Sequence, residues 1–159
     1  MSTPSNDKNS STGIRVIPPL VYMAGLLIGL IMEYLWPTID LTLGWRLGIS
    51  APVLLASVVL IILTLKYFKS ASTPFDVRKT ASSLIIDGPF RFSRNPGYVA
   101  LTMLYLTLGV FLSSLWALLM ALPILFVVDK FVVRKEEISL LSSFGDPYRD
   151  YQSKVRRWL

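Results

Sequence analysis

The sequence predicts an all-α, polytopic membrane protein with about four transmembrane helices and a C-terminal helical extension that is cytoplasmic or interfacial. Three observations carry this reading. Of the 159 residues 53% are hydrophobic and only 16% are charged, a balance too apolar and too thinly charged for a water-soluble domain. The apolar residues gather into runs at about 16–36, 47–65, 96–112 and 115–133, each close to the length a helix needs to cross the hydrocarbon core. The 16 Lys and Arg are also placed asymmetrically. With four spans and the N-terminus inside, all but Arg46 fall on one side, so both termini are expected in the cytoplasm.

Composition excludes several chemistries. The net charge of +6 comes from residues that flank apolar runs instead of covering a soluble face, which points to anionic membrane lipid and not to nucleic acid. With no Cys and no His, disulfides, thiol nucleophiles, imidazole bases and the usual zinc ligands are absent, and no metal site is expected. Chemistry is left to Arg, Lys, Tyr, Asn, Ser, Thr, Asp and Glu.

Residues 1–13 are rich in Ser, Thr and Asn and read as a disordered tail preceding a single integral membrane domain, 14–159. The glycosylation sequon Asn9-Ser10-Ser11 is idle if that tail is cytoplasmic. Arg15 precedes the first span, which lacks a small-residue cleavage signature and so reads as a retained helix. Gly25 and Gly29, four apart, let another helix approach closely. Glu33 is an acid at membrane depth and hence a functional candidate, although Trp36 and Pro37 place it at the interface as a solvated helix end. Thr38–Arg46 is a short connection. The second span, 47–65, carries Pro52 in its first turns and ends at Lys66, Tyr67 and Lys69. A loop then runs to Asn95 with Arg78, Lys79, Arg91 and Arg94, long enough to be functional, and Leu84, Ile85 and Ile86 are expected to pin it.

The third and fourth runs are separated only by Ser113-Ser114 and must form a tight antiparallel hairpin. Pro123 is expected to kink the fourth span or free a carbonyl. Asp129 and Lys130 near its end read either as a charge pair or as facing a polar cavity. Beyond it come Arg134-Lys135-Glu136-Glu137, then Leu140, Leu141 and Phe144 at helical spacing, with Gly145 as a stop. Asp146-Pro147 opens a last helix, with Tyr148, Tyr151 and Val155 on one face and Arg149, Lys154, Arg156 and Arg157 around the rest. The stretch to Trp158 reads as an interfacial helix.

The candidate site is the stretch Asp87–Tyr98, where a basic, aromatic loop turns into an apolar helix with Pro96 in its first turn. On residue types alone it reads first as the basic cytoplasmic flank of a membrane span. Counting along the hairpin, Tyr98 and Asp129 lie at one depth, about 22 Å from the Ser113-Ser114 turn. The same count places Asn95 level with Val132–Val133 and Arg91 level with Glu136–Glu137. Arginines and acids thus converge on a cytoplasmic pocket that suits a ligand with a carboxylate, an amine, ribose hydroxyls and an aromatic base. The alternative is surface pairing of Glu136 and Glu137 with Arg134, Lys135 or Arg91, which contributes little.

Gly88-Pro89-Phe90-Arg91-Phe92-Ser93-Arg94-Asn95-Pro96-Gly97-Tyr98 resembles the Gly-Pro-Tyr-Arg…Arg-His/Asn-Pro-x-Tyr signature of the isoprenylcysteine carboxyl methyltransferase and phospholipid methyltransferase families. Glu136-Glu137 followed by Leu140, Phe144-Gly145, Tyr148, Tyr151 and Val155-Arg156-Arg157-Trp158 resembles their second motif. The resemblance covers about Leu84 to the end. It implies an S-adenosylmethionine-dependent integral membrane methyltransferase of bacterial type, placed in an inner membrane. Arg94, Asn95, Pro96 and Tyr98 would line the cofactor pocket, with Glu136 and Glu137 as its other half. Two positions depart from the pattern: Asn95 stands where His is common, as in bacterial-type relatives, and Ala100 where a small residue, usually Gly, narrows the approach less.

The reaction so implied is an in-line displacement by a membrane-associated, lipophilic methyl acceptor: a prenylcysteine-like carboxylate, a phospholipid amine or a small thiol. Arg91 and Arg134 are the candidates for orienting an anionic acceptor or the cofactor carboxylate. The competing readings are a small four-helix transporter or lipid-binding module with Glu33 or Asp129 as coupling acid, and a relative without activity that packs against other membrane proteins.

Overall fold

Prolines open three of the helices, where a missing backbone donor has no consequence, and close-packed glycine and hydroxyl stripes decide which helices touch. The computed structural model describes residues 16–38, 40–71 and 83–159. The expected tail, its sequon, and Arg78 and Lys79 lie outside the described residues. The helices are α1 (Pro18–Leu35), α2 (Leu43–Ser70), α3 (Pro96–Phe111), α4 (Leu115–Val128), α5 (Arg134–Phe144) and α6 (Asp146–Lys154). A 3₁₀ turn, Gly88–Arg91, precedes α3, and a π-turn, Asp129–Val133, joins α4 to α5. The described residues contain helices and no strands. Among the described residues three helices are long and apolar enough to cross a membrane: α1, α2 and the continuous Leu115–Phe144; α3 is apolar but shorter.

Helix α3 packs along α2 on one side and α4 on the other, and α1 lies along α4. The α1–α4 contact is the one the Gly25/Gly29 spacing anticipates. A Cβ built on Gly25 would come within 2.3 Å of the Ile124 side chain, and one on Gly29 within 2.5 Å of Ala117 Cα. Helix α2 turns Ser50, Ser57 and Thr64, seven residues apart, into the bundle. Their hydroxyls donate to carbonyls of their own helix, those of Arg46, Leu54 and Leu60, so small polar side chains are buried without orphaned groups. Tyr105 donates to the Ala117 carbonyl across the hairpin at 2.6 Å, and Ser114 caps α4 by accepting from the Ala117 N–H at 3.1 Å. Leu27, Ile31, Leu55, Ile62 and Leu122 are exposed, as a lipid-facing surface requires.

Several boundaries differ from the sequence expectation. Helix α2 runs beyond 47–65 at both ends, because Lys66–Lys69 contains no helix breaker and Phe68 gains a packing partner in Phe90, ring centroids 5.6 Å apart. The fourth helix does not stop at residue 133 but continues through the π-turn to Phe144. The last helix ends at Lys154, and Val155 is extended, so the interfacial helix does not reach Trp158. Asp129 and Lys130 are not a pair: Lys130 lies over the rings of Phe126 and Phe131, while Asp129 faces Arg134 and Arg157. Glu33 is bonded to Thr38, Ser114 and Trp116 and is not merely a solvated helix end.

Candidate active site

The loop before α3 is shaped by Gly88, whose φ of 63° is a left-handed conformation and whose missing side chain makes room for the Tyr67 ring. The 3₁₀ turn that follows buries Phe90, and Tyr151 of α6 donates to the Phe90 carbonyl at 2.6 Å. Ser93 to Asn95 then lie against the C-terminal segment. The Arg94 N–H donates to the Arg156 carbonyl at 2.9 Å, and the Asn95 amide to the Arg157 carbonyl at 2.9 Å. Pro96 starts α3 and is fully buried.

Helix α5 brings the acids to this loop. Tyr98 donates to Glu136 Oε2 at 3.0 Å. Glu137, 8% exposed, is shared by two guanidinium groups. Arg94 Nη2 stands 3.2 Å from Oε1, and Arg157 grips both oxygens, Nε to Oε1 at 3.1 Å and Nη2 to Oε2 at 2.7 Å. Such pairing is what lets a carboxylate be buried at all. Arg157 Nη1 and the Trp158 indole N–H also reach Asp129 Oδ1, each at 3.3 Å. The bonds to Glu137 hold the Arg157 guanidinium above its ordinary pKa. Burial, followed by the field of Glu137, pushes the Tyr148 phenol up to about 12; burial likewise raises Tyr151. Both are neutral hydroxyls at physiological pH.

These groups line a small cleft, open at its mouth, with Phe68, Ile85, Phe90, Leu140, Tyr148 and Tyr151 on the apolar side and Arg94, Asn95, Glu136 and Glu137 on the polar side. Two features of its polar side are unusual. Among the described residues the buried Arg94 Nε has no hydrogen-bond partner. Among the described residues Glu136 has a neutral hydroxyl as its partner and no ion pair. The described residues contain no group of three or more Asp or Glu suited to a metal ion.

Four of the candidate residues, Arg94, Asn95, Glu136 and Glu137, thus meet at the cleft. Tyr98 reaches Glu136 from behind it, and Pro96 and Ala100 are buried in the start of α3. Arg91 and Arg134 are not in the lining: both are exposed, and Arg134 is held by Asp129 at 3.0 Å. The count along the hairpin expected Arg91 opposite Glu136–Glu137, whereas Arg94 occupies that place. The reason is local: the chain before Pro96 is a 3₁₀ turn and a bend, not a continuation of α3, so Arg91 is carried outward. Phe68 carries no signal in the sequence, and Tyr148, Tyr151 and Arg157 enter the sequence reading within the second motif and on the last helix, without an assigned role in the site. The three-residue spacing of the two tyrosines after Asp146-Pro147 was the usable signal.

The sequence pattern of the phospholipid methyltransferase family matches residues 42–147, about two thirds of the chain, taking in α2 to α5. A curated protein of Haemophilus influenzae, described only as uncharacterized, is 39% identical over 62 residues, which cover 39% of this chain and 98% of that protein. No solved structure gives a significant match.

Proposed function

The chain belongs to the phospholipid methyltransferase family, and from that premise we propose that it transfers a methyl group from S-adenosylmethionine to a lipophilic, membrane-associated acceptor. The cleft beside α3 and α5 is its cofactor site, and residues 14–159 form one methyltransferase domain in a bacterial inner membrane with both termini cytoplasmic.

The observation that carries this reading is one cleft lined by a guanidinium that gives its ion pair a single nitrogen, a carboxylate with no cation among the described residues, and an aromatic wall. These residues suit the cofactor's chemistry. The Arg94 guanidinium would take its carboxylate, and Glu136 would answer its positive charge. Glu137 and Asn95 would complete the polar rim, and Phe90, Tyr148 and Tyr151 would pack its base. Tyr98 holds Glu136, while Pro96 and Ala100 shape the helix start behind. When bound, the cofactor supplies an electrophilic methyl group on sulfur. The chain has to align the acceptor and keep water out, which needs no imidazole. If the acceptor is an amine it must lose a proton. With Asp129 and Glu137 both engaged by Arg157, Glu136 is the carboxylate left to accept it. Arg91 and Arg134, exposed on the cytoplasmic side, are placed for an anionic headgroup and not for the cofactor.

Calorimetry of the purified protein with S-adenosylmethionine and S-adenosylhomocysteine tests the site, and transfer of labelled methyl in native membranes tests the acceptor. Binding and label in extracted lipid are expected. No heat and no thermal shift at millimolar ligand would overturn the reading.

A further inference from the structure

The C-terminal segment, which lies beyond the stretch matched by the family pattern, is built into the cleft. After α6 the chain turns back along Ser93–Asn95, and three bonds fix its course: Arg94 N–H to the Arg156 carbonyl at 2.9 Å, and Asn95 Nδ2 and Ser93 Oγ to the Arg157 carbonyl at 2.9 and 3.3 Å. With its backbone so held, Arg157 forks onto both oxygens of Glu137 at 3.1 and 2.7 Å. Arg94 touches the same carboxylate through Nη2 alone, at 3.2 Å, and among the described residues its buried Nε has no partner.

Resting on the reading of the cleft as a cofactor site, we infer that Arg157 is a positioning residue that keeps Arg94 free for a ligand carboxylate. One carboxylate has room for one bidentate guanidinium. While Arg157 occupies Glu137 in that way, Arg94 keeps a donor to offer. Without Arg157, Glu137 is left buried with half its hydrogen bonds unmade, and it draws Arg94 into the fork. The donor that a ligand carboxylate needs is then used up. Ligands that carry a carboxylate lose affinity, and ligands that lack one do not.

Calorimetry of the full-length protein with two probes separates this role from a merely structural one. S-adenosylhomocysteine has the amino-acid carboxylate; methylthioadenosine has the base, ribose and thioether without it. Arg157→Gln should weaken S-adenosylhomocysteine by about tenfold or more and leave methylthioadenosine within about twofold. Arg149→Gln, on an exposed pair with Asp146, should change neither. Equal weakening of both probes by Arg157→Gln, or no weakening of S-adenosylhomocysteine, overturns the inference. Should that variant not fold, Arg157→Lys keeps the charge without the fork. It should show the same carboxylate-selective loss, and an equal loss or none is again fatal. A wild-type protein that binds neither probe overturns the cofactor reading and this inference with it. Wild-type binding with unselective variants overturns this inference alone.

Discussion

Glu33 and Glu136 are the two acids whose roles the surroundings separate most clearly. Glu33 accepts from the Thr38 N–H and hydroxyl at 2.6 and 2.7 Å, and from the Ser114 hydroxyl and Trp116 N–H at 3.1 and 3.4 Å. It ties the end of α1 to the α3–α4 turn and has no capacity to spare. Glu136 has Tyr98 as its hydrogen-bond partner and faces the cleft. Glu33→Gln should therefore cost about 1 kcal/mol of stability with S-adenosylhomocysteine affinity unchanged. Tyr98→Phe should weaken that ligand about tenfold, since Glu136 loses the hydroxyl that orients it at the cleft. Melting curves and calorimetry on the same preparations check both; a Glu33→Gln protein that melts normally but loses function would favour a coupling-acid role instead. Residue types alone made Arg94, Asn95, Glu136 and Glu137 legible. Arg157 was not, because its role depends on the helix ending at Lys154, and one wrong helix end turned an inward guanidinium into an outward one.

At the scale of elements, the glycine pair of α1 is the point where the sequence speaks most directly about packing. A Cβ on Gly29 would meet Ala117 backbone, which cannot rotate away, whereas one on Gly25 would meet the flexible end of Ile124. Gly29→Val should therefore destabilise by more than Gly25→Ala, by about 1–3 kcal/mol. Pairing Gly25→Ala with Ile124→Val should recover most of the smaller loss, and Gly29→Val should have no such single remedy. Thermal unfolding in detergent measures the series; a Gly29→Val protein as stable as wild type would remove the α1–α4 contact from the account. The apolar runs made the four apolar helices legible, three of them long enough to span a membrane, and Ser113-Ser114 made the hairpin so. The length of α2 was not, because Phe68 is held by packing against the loop, a contact that no local pattern encodes.

At the scale of the whole molecule, orientation is the quantity the charges decide. The chain has no cysteine, so single cysteines report topology cleanly. Gly44→Cys, at the start of α2 with open space around it, should react with an impermeant maleimide in intact cells. Ser153→Cys, exposed on α6, should react only after lysis. The reverse pattern would invert the membrane and place the cleft outside. The hairpin count fixed the meeting of loop and acids to within one turn, but it assumed one uninterrupted helix, and the chain is not built that way. The π-turn at Asp129–Val133 holds one residue more than an α-turn, so all that follows is advanced by one place, about 100° of rotation. It acts as a phase shifter between the part of the helix that answers to lipid and the part that answers to the cleft. Glu136 and Glu137 look toward Tyr98 and Arg94 in the phase that this one residue sets.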